Sequence, residues 1–187
     1  MVLTLLAVTL ISGAVLGFVH KVTKEPIETA AKKAQNEAIE AILPAFDQLS
    51  EAKEVMPADG TNPLVFFRAS DAEGNLVGTA VRTYSINGFS GLIEVMVGFD
   101  TSGVITGYQV LMHKETPGLG SKMQEWFSHA DHTIIGINPG EVNMTVSKDG
   151  GDIDAITAST ISSRAFLESI VRGYNTYIKN ANEGGAK

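Results

Sequence analysis

Near the C-terminus, Asp154-Ala155-Ile156-Thr157-Ala158-Ser159-Thr160-Ile161-Ser162-Ser163 sets a cluster of hydroxyls directly before an amphipathic run that begins at Arg164. A helix N-terminus offers amide donors without intrahelical partners and the positive end of the helix dipole, so it seats phosphate readily. A serine or threonine there ordinarily serves as a cap, contributing about 1 kcal/mol. The same hydroxyl can instead carry a phosphate ester. Thr157, Ser159, Thr160, Ser162 and Ser163 supply more hydroxyls than one cap requires. Asp154, a turn or less upstream, is placed to guide a metal-dependent transferase. Whether Thr160 is an acceptor or a cap decides what the protein does.

A second polar loop, Glu115-Thr116-Pro117-Gly118-Leu119-Gly120, leaves a predicted strand end. Pro-Gly is the usual central pair of a type II turn. A turn alone leaves Leu119 between two glycines unexplained. Gly118 and Gly120 let backbone approach a flat ligand, Leu119 offers it an apolar surface, and Glu115 and Thr116 can bond polar ring edges. Other candidates read as structure. His129-Ala130-Asp131-His132 lacks a third ligand and reads as a solvated loop, so no metal site is expected. Trp126 reads as a core residue of a short helix, Glu94 as a solvent-facing strand residue, and His113 as either a strand end or a border of the ligand.

The 187 residues contain no cysteine, which excludes disulfides, a thiol nucleophile, cysteine-ligated iron–sulfur clusters and a lipidated cysteine. Redox chemistry would therefore need an organic cofactor or a metal site without thiolates. The net charge of −7 argues against nucleic acid as a partner.

The elements that must position these residues follow from patterning. Val2 to Val19 carries no charged side chain and at helical rise covers roughly 27 Å, enough to cross a membrane's hydrocarbon core. Residues 1–24 are therefore expected to form a retained single-span anchor. Gly13 and Gly17 are spaced to seat a neighbouring helix, although glycine is also simply tolerated in such spans. Lys21, Lys24, Lys32 and Lys33 follow the span and by the positive-inside rule favour a cytoplasmic domain. Residues 25–62 are expected to hold an amphipathic linker helix starting at Pro26, ending before Pro44 and packing one face on the domain, then a loop from Asp47 to Asn62. Residues 63–187 form the folded domain. Strands are expected over Leu64–Ala69, Leu76–Tyr84, Leu92–Phe99 and Val104–Met112, joined by Gly- and Asp-rich turns. A short helix over Ser121–Phe127, strands over Val142–Val146 and Ile153–Ile156, and a last helix from about Ser159 to Lys179 complete an α+β fold with an antiparallel sheet and flanking helices.

Met112-His113-Lys114-Glu115-Thr116-Pro117-Gly118-Leu119-Gly120, followed by Asp154-x-x-Thr157-Ala158-Ser159-Thr160-x-Ser162, closely resembles a family of covalently flavinylated FMN-binding domains. These are the G subunit of the Rnf electron-transport complex and the C subunit of the sodium-translocating NADH:quinone reductase. The likeness covers nearly the whole chain, including Gly91-Leu92-Ile93-Glu94-Val95-Met96-Val97-Gly98. It implies FMN joined through its phosphate to Thr160 by a separate flavin transferase that uses FAD and Mg²⁺. It further implies contacts from Glu115, Thr116, Gly118, Leu119, Gly120, Thr157, Ser159, Ile161 and Ser162, with Asp154 recognised by the transferase. The implied protein is an electron relay in the inner (cytoplasmic) membrane, its soluble domain periplasmic, needing no general base or nucleophile and holding no substrate site of its own. Its implied partners are other Rnf subunits, integral-membrane flavin and iron–sulfur subunits among them. Rnf is preferred to the quinone reductase for the short linker and compact size; an anchored assembly module without flavin is the alternative outside redox chemistry. The chain departs from the family at one place. The usual Ser/Thr-Gly-Ala-Thr is Thr157-Ala158-Ser159-Thr160 here, so Ala158 is expected to be strained if the loop needs a positive φ.

Overall fold

The computed structural model describes residues 1–60 and 62–184, less the side chains of Ala7, Glu28, Asn182 and Glu183. The chain divides into two compact units, Met1–Glu37 and Ala38–Lys187. Helix α1 (Val2–Ile42) makes up the first and ends in the second. Its N-terminal part is long and apolar enough to cross a membrane. Leu3, Leu10, Leu16 and Phe18 there are all exposed, a surface suited to lipid rather than water.

Pro26 does not start a new helix, as the sequence suggests; α1 runs through it. An internal proline costs about 3 kcal/mol through one lost hydrogen bond and a clash with the preceding turn. Here Ala-rich sequence on its C-terminal side and apolar helix on the other keep both flanks helical. Within the second unit the end of α1 is buried, at Ala38, Ile39 and Ile42, with Leu43 just beyond it.

The second unit is built on a six-stranded antiparallel sheet of β1 (Gln48–Leu49), β2 (Lys53–Val55), β3 (Leu64–Ser70), β4 (Leu76–Gly88), β5 (Gly91–Asp100) and β6 (Ile105–Met112). The order is β1-β3-β4-β5-β6, with β2 also on the free edge of β3. Sequence reading assigns Asp47–Asn62 to a loop and misses β1 and β2. Both are short and largely exposed, so no alternation of apolar residues marks them.

Successive strand residues face opposite sides of the sheet. Phe66, Val81, Val95, Val97 and Phe99 belong to one buried cluster, and Phe67, Ala69, Ala80 and Met96 to another. The first is covered by α3 (Thr160–Gly184), through Phe166, Ile170 and Tyr177. The second is covered by the end of α1. There Gly98 and Gly107 are opposite one another in register. A Cβ on Gly107 would lie 2.9 Å from the Ile42 Cα, so glycine is what lets the helix end sit down.

Between β6 and α3 the chain forms a 3₁₀ turn (Gly120–Lys122) and a one-turn helix, α2 (Met123–Trp126). The strands expected over Val142–Val146 and Ile153–Ile156 reduce to one parallel bridge, Val146 to Ile153. The intervening 3₁₀ turn Ser147–Asp149 and left-handed Gly150 (φ 84°) return the chain in the same direction. A connection this short cannot extend a parallel pair.

Candidate functional site

The N-terminus of α3, the loop after β6 and the β4–β5 turn converge on a cavity of about 330 Å³. Phe89, Glu115, Thr116, Leu119, Gly120 and residues 158–162 line it. The two motifs, distant from one another in sequence, thus form opposite walls of one site. A cavity of similar size, about 310 Å³, lies between β3 and the far end of α3, but none of the motif residues reach it. We place the functional site at the first.

Most of the hydroxyls there have structural duties. The Ser159 amide donates to Ile156 O at 2.9 Å, and its carbonyl accepts from the Ser163 amide at 3.0 Å, so Ser159 is the residue that opens α3. The Ser163 hydroxyl donates to Ser159 O (3.0 Å) and accepts from the Ile156 amide (3.0 Å). Ser159 Oγ donates to Ser162 Oγ (3.0 Å), which donates to Glu115 Oε2 at 2.5 Å. Glu115 Oε1 accepts from the Ser90 amide at 2.9 Å. Glu115 is 5% exposed. Its carboxylate therefore ties together the β4–β5 turn, its own loop and the first turn of α3. Burial without such partners would cost several kcal/mol, roughly 2–3 per lost bond to a charge.

Thr160 differs. It is the first helical residue, one place past the cap position, and half-buried on the cavity wall. Its hydroxyl receives a hydrogen bond from Lys148 Nζ at 3.3 Å. Just before this pair of residues, Ala158 has φ 61°, the only non-glycine residue with positive φ among those described. The expected strain is present. A left-handed alanine costs roughly 1–2 kcal/mol.

The opposite wall is a type II turn. Pro117 and Gly118 (φ 76°) occupy its centre, and the Leu119 amide closes it onto Thr116 O at 3.1 Å. Leu119 projects with 39% of its surface exposed. Gly120 is required by contact: a Cβ there would collide with Ser162 Oγ and come within 2.7 Å of Glu115 Oε2.

Of the residues picked from sequence, Glu115, Thr116, Leu119, Gly120, Ser159, Thr160, Ile161 and Ser162 line the cavity, whereas Gly118 and Thr157 do not. Gly118 shapes the turn, and Thr157 is exposed beside the site. Asp154 stands outside the cavity: its exposed carboxylate accepts from Ser147 Oγ (3.2 Å), and its carbonyl accepts from Trp126 Nε1 (3.0 Å). Trp126 packs partly buried against the core and stacks on His132, with ring centroids 4.1 Å apart. His113 follows β6 and accepts the Glu115 amide on Nδ1 at 3.2 Å. Glu94 is not simply solvent-facing; Arg82 pairs with it at 2.9 Å. Among the described residues, no group of three His, Cys, Asp or Glu is placed to hold a metal ion.

Two residues escape sequence reading. Phe89, 67% exposed on the β4–β5 turn, closes one side of the cavity. An aromatic between the glycines of Gly88-Phe89-Ser90-Gly91 is the signal that could have found it. Lys148 carries no such signal, because only the fold brings it to Thr160.

Residues 88–175 match the family described as FMN-binding domain. The chain is 31% identical to the G subunit of the ion-translocating oxidoreductase complex of Salmonella typhi, covering 86% of this chain and 82% of that one. It is 28% identical to the corresponding G subunit of Methanosarcina acetivorans (90% and 88%) and 30% identical to that of Escherichia coli strain K12 (82% and 78%). The chain belongs to the family of G subunits of the ion-translocating oxidoreductase complex. Its fold is that of the crystal structure of Shewanella oneidensis NqrC, with TM-score 0.51 and 22% identity over 70% of this chain and 69% of that one. This G-family protein is thus a flavoprotein built around an FMN-binding domain, with one helix among the described residues long and apolar enough to cross a membrane.

The cavity suits FMN. Its volume falls at the lower end of ligand sites, about 300–1,000 Å³. Phe89, Leu119 and Ile161 offer apolar faces to a planar ring, while the opening amides of α3 and the Lys148 ammonium face the Thr160 end, where a phosphate would sit.

Proposed function

We propose that this protein carries FMN covalently, as a phosphoester on Thr160, and relays electrons through it within a membrane complex of the Rnf type. One observation carries the reading. Ser159 opens α3 and Ser159, Ser162 and Ser163 are all committed to internal bonds, so the Thr160 hydroxyl is left facing the cavity. A threonine whose purpose was capping would stand one residue earlier.

When bound, FMN supplies the redox chemistry. The chain's contribution is orientation and charge. The first amides of α3 and Lys148 meet the single negative charge of a phosphodiester. Leu119, held out by its turn, and Phe89 bracket the space for the ring. Thr116, Gly118 and Thr157 shape the approach. Glu115 does not address the ring edges with a free carboxylate; both of its oxygens hold the walls in register. Asp154, exposed upstream of Thr160, is available to the flavin transferase, which delivers FMN from FAD with Mg²⁺.

We place the soluble domain on the periplasmic side of the inner membrane, where the transfer occurs. Electron partners are the other Rnf subunits, including the integral-membrane flavin and iron–sulfur subunits, and the complex couples electron flow between reduced ferredoxin and NAD⁺ to ion movement across the membrane. A protease added to intact spheroplasts should degrade the domain; protection would place it in the cytoplasm, as the lysines after the span suggest.

The test of the attachment is a denaturing gel. Wild type coexpressed with a competent transferase should give a fluorescent band, and Thr160→Ala a dark one. A dark wild-type band, or a Thr160→Ala band as bright as wild type, refutes the assignment.

A further inference from the structure

We propose that Lys148 is the cation that holds the phosphate on Thr160, kept in position by the Asp149–Arg164 pair beside it. The inference rests on the Thr160 attachment proposed above and adds a residue that no motif reading identifies.

Lys148 Nζ is 3.3 Å from Thr160 Oγ1. An ammonium has three donors, and a neutral hydroxyl satisfies only part of one direction. An otherwise exposed lysine also loses rotamer freedom to hold any pose. The natural partner for such a group is an anion at the position of the hydroxyl, which is where a phosphoester would place its oxygens.

The backbone under Lys148 is fixed. Its turn is closed by Asp149 N to Val146 O and Ser147 N to Ile153 O, both 2.8 Å. Asp149 then accepts two bonds from Arg164, at 2.6 and 2.7 Å. Arg164 lies one helical turn past Thr160, so this fork joins the Lys148 turn to the helix that carries the acceptor. Charge completes the argument. Arg164 is engaged with Asp149, whose carboxyl it holds below the ordinary range chiefly by that hydrogen bond. Lys148 also lies within electrostatic reach of Asp149. Asp149 is thus held by Arg164, while the Lys148 ammonium is turned to Thr160, where a phosphodiester would place its negative charge.

The chain is coexpressed with a flavin transferase as wild type, Lys148→Gln and Lys148→Arg. Modified fraction is followed by intact mass over time, and the modified proteins are examined by phosphorus NMR. Lys148→Gln should be modified on the order of ten-fold more slowly, and Lys148→Arg should recover most of that rate. The phosphodiester resonance should move in Lys148→Gln and return towards its wild-type position in Lys148→Arg. Lys148 is exposed, so the unmodified variants should unfold at the wild-type temperature. This separates a loss of phosphate contact from a loss of fold. An unmoved resonance in Lys148→Gln overturns the Lys148 assignment whatever its rate, while leaving Thr160 as acceptor. A wild-type chain that remains unmodified overturns both.

Discussion

The two faces of the sheet are built on different principles. The face under α3 is packed with large side chains: Phe127 stacks on Phe166 at 4.6 Å and Phe99 on Tyr177 at 5.2 Å. It is also tied by hydrogen bonds along the helix. Thr83 Oγ1 donates to Ser169 O (2.8 Å), buried Arg172 donates to Tyr84 O and to Glu168 (2.7 Å), and Tyr177 donates to Asp100 O (2.9 Å). The face under the end of α1 is instead carved out by Gly98 and Gly107, with Thr106 donating to Ile42 O at 2.5 Å. One face must hold a helix N-terminus in register with a loop to form a site. The other must only let a helix end approach. Directional bonds serve the first task and absent side chains the second.

Each face should therefore fail in its own way. Gly107→Val puts side-chain atoms where the Ile42 backbone lies and should destabilise the domain by about 3 kcal/mol in denaturant titrations. The covalent flavin should survive below the transition. Glu115→Ala strands the Ser90 amide and the Ser162 hydroxyl and should cost about 2 kcal/mol. Unlike Gly107→Val, it should also lower the modified fraction under conditions where the protein is folded. Ala158→Gly relieves the left-handed alanine and should stabilise by about 1 kcal/mol, a rise of roughly 2–4 °C in Tm.

The smallest effect concerns acid. Burial alone would raise the Glu168 pKa, but bonds from Asn87, Arg172 and Ser85 outweigh it and leave it lowered. Glu168 on the α3 face thus contributes stability that is complete above its unfolded value, about pH 4.3, and fades as pH falls through its lower folded value. Glu168→Gln should flatten the acid limb of a stability–pH curve in that window, whereas Gly107→Val should leave its shape intact.

How far the sequence revealed this molecule follows from the kind of signal each part carries. The four long strands, the Pro117-Gly118 turn and the start of α3 rest on local patterning and were legible. So was the strain at Ala158, because alanine at a position that the family fills with glycine implies a specific φ. Strands β1 and β2 were hidden, being exposed edges with no alternation, and α1 concealed its continuity behind Pro26. The role of Glu115 as a tie between three segments, the approach of Phe89, and Lys148 meeting Thr160 all depend on contacts between distant parts of the chain. Residue type and spacing do not encode such meetings.

Cleavage by trypsin after Lys148 and Arg164 releases residues 149–164, a peptide holding Thr160 and its four neighbouring hydroxyls. Fragmentation of that peptide from natively produced protein decides whether Thr160 is the acceptor. Its mass should be raised by FMN less one water, with the added group on Thr160. An unmodified peptide, or the same group on Thr157 or a serine, would contradict it.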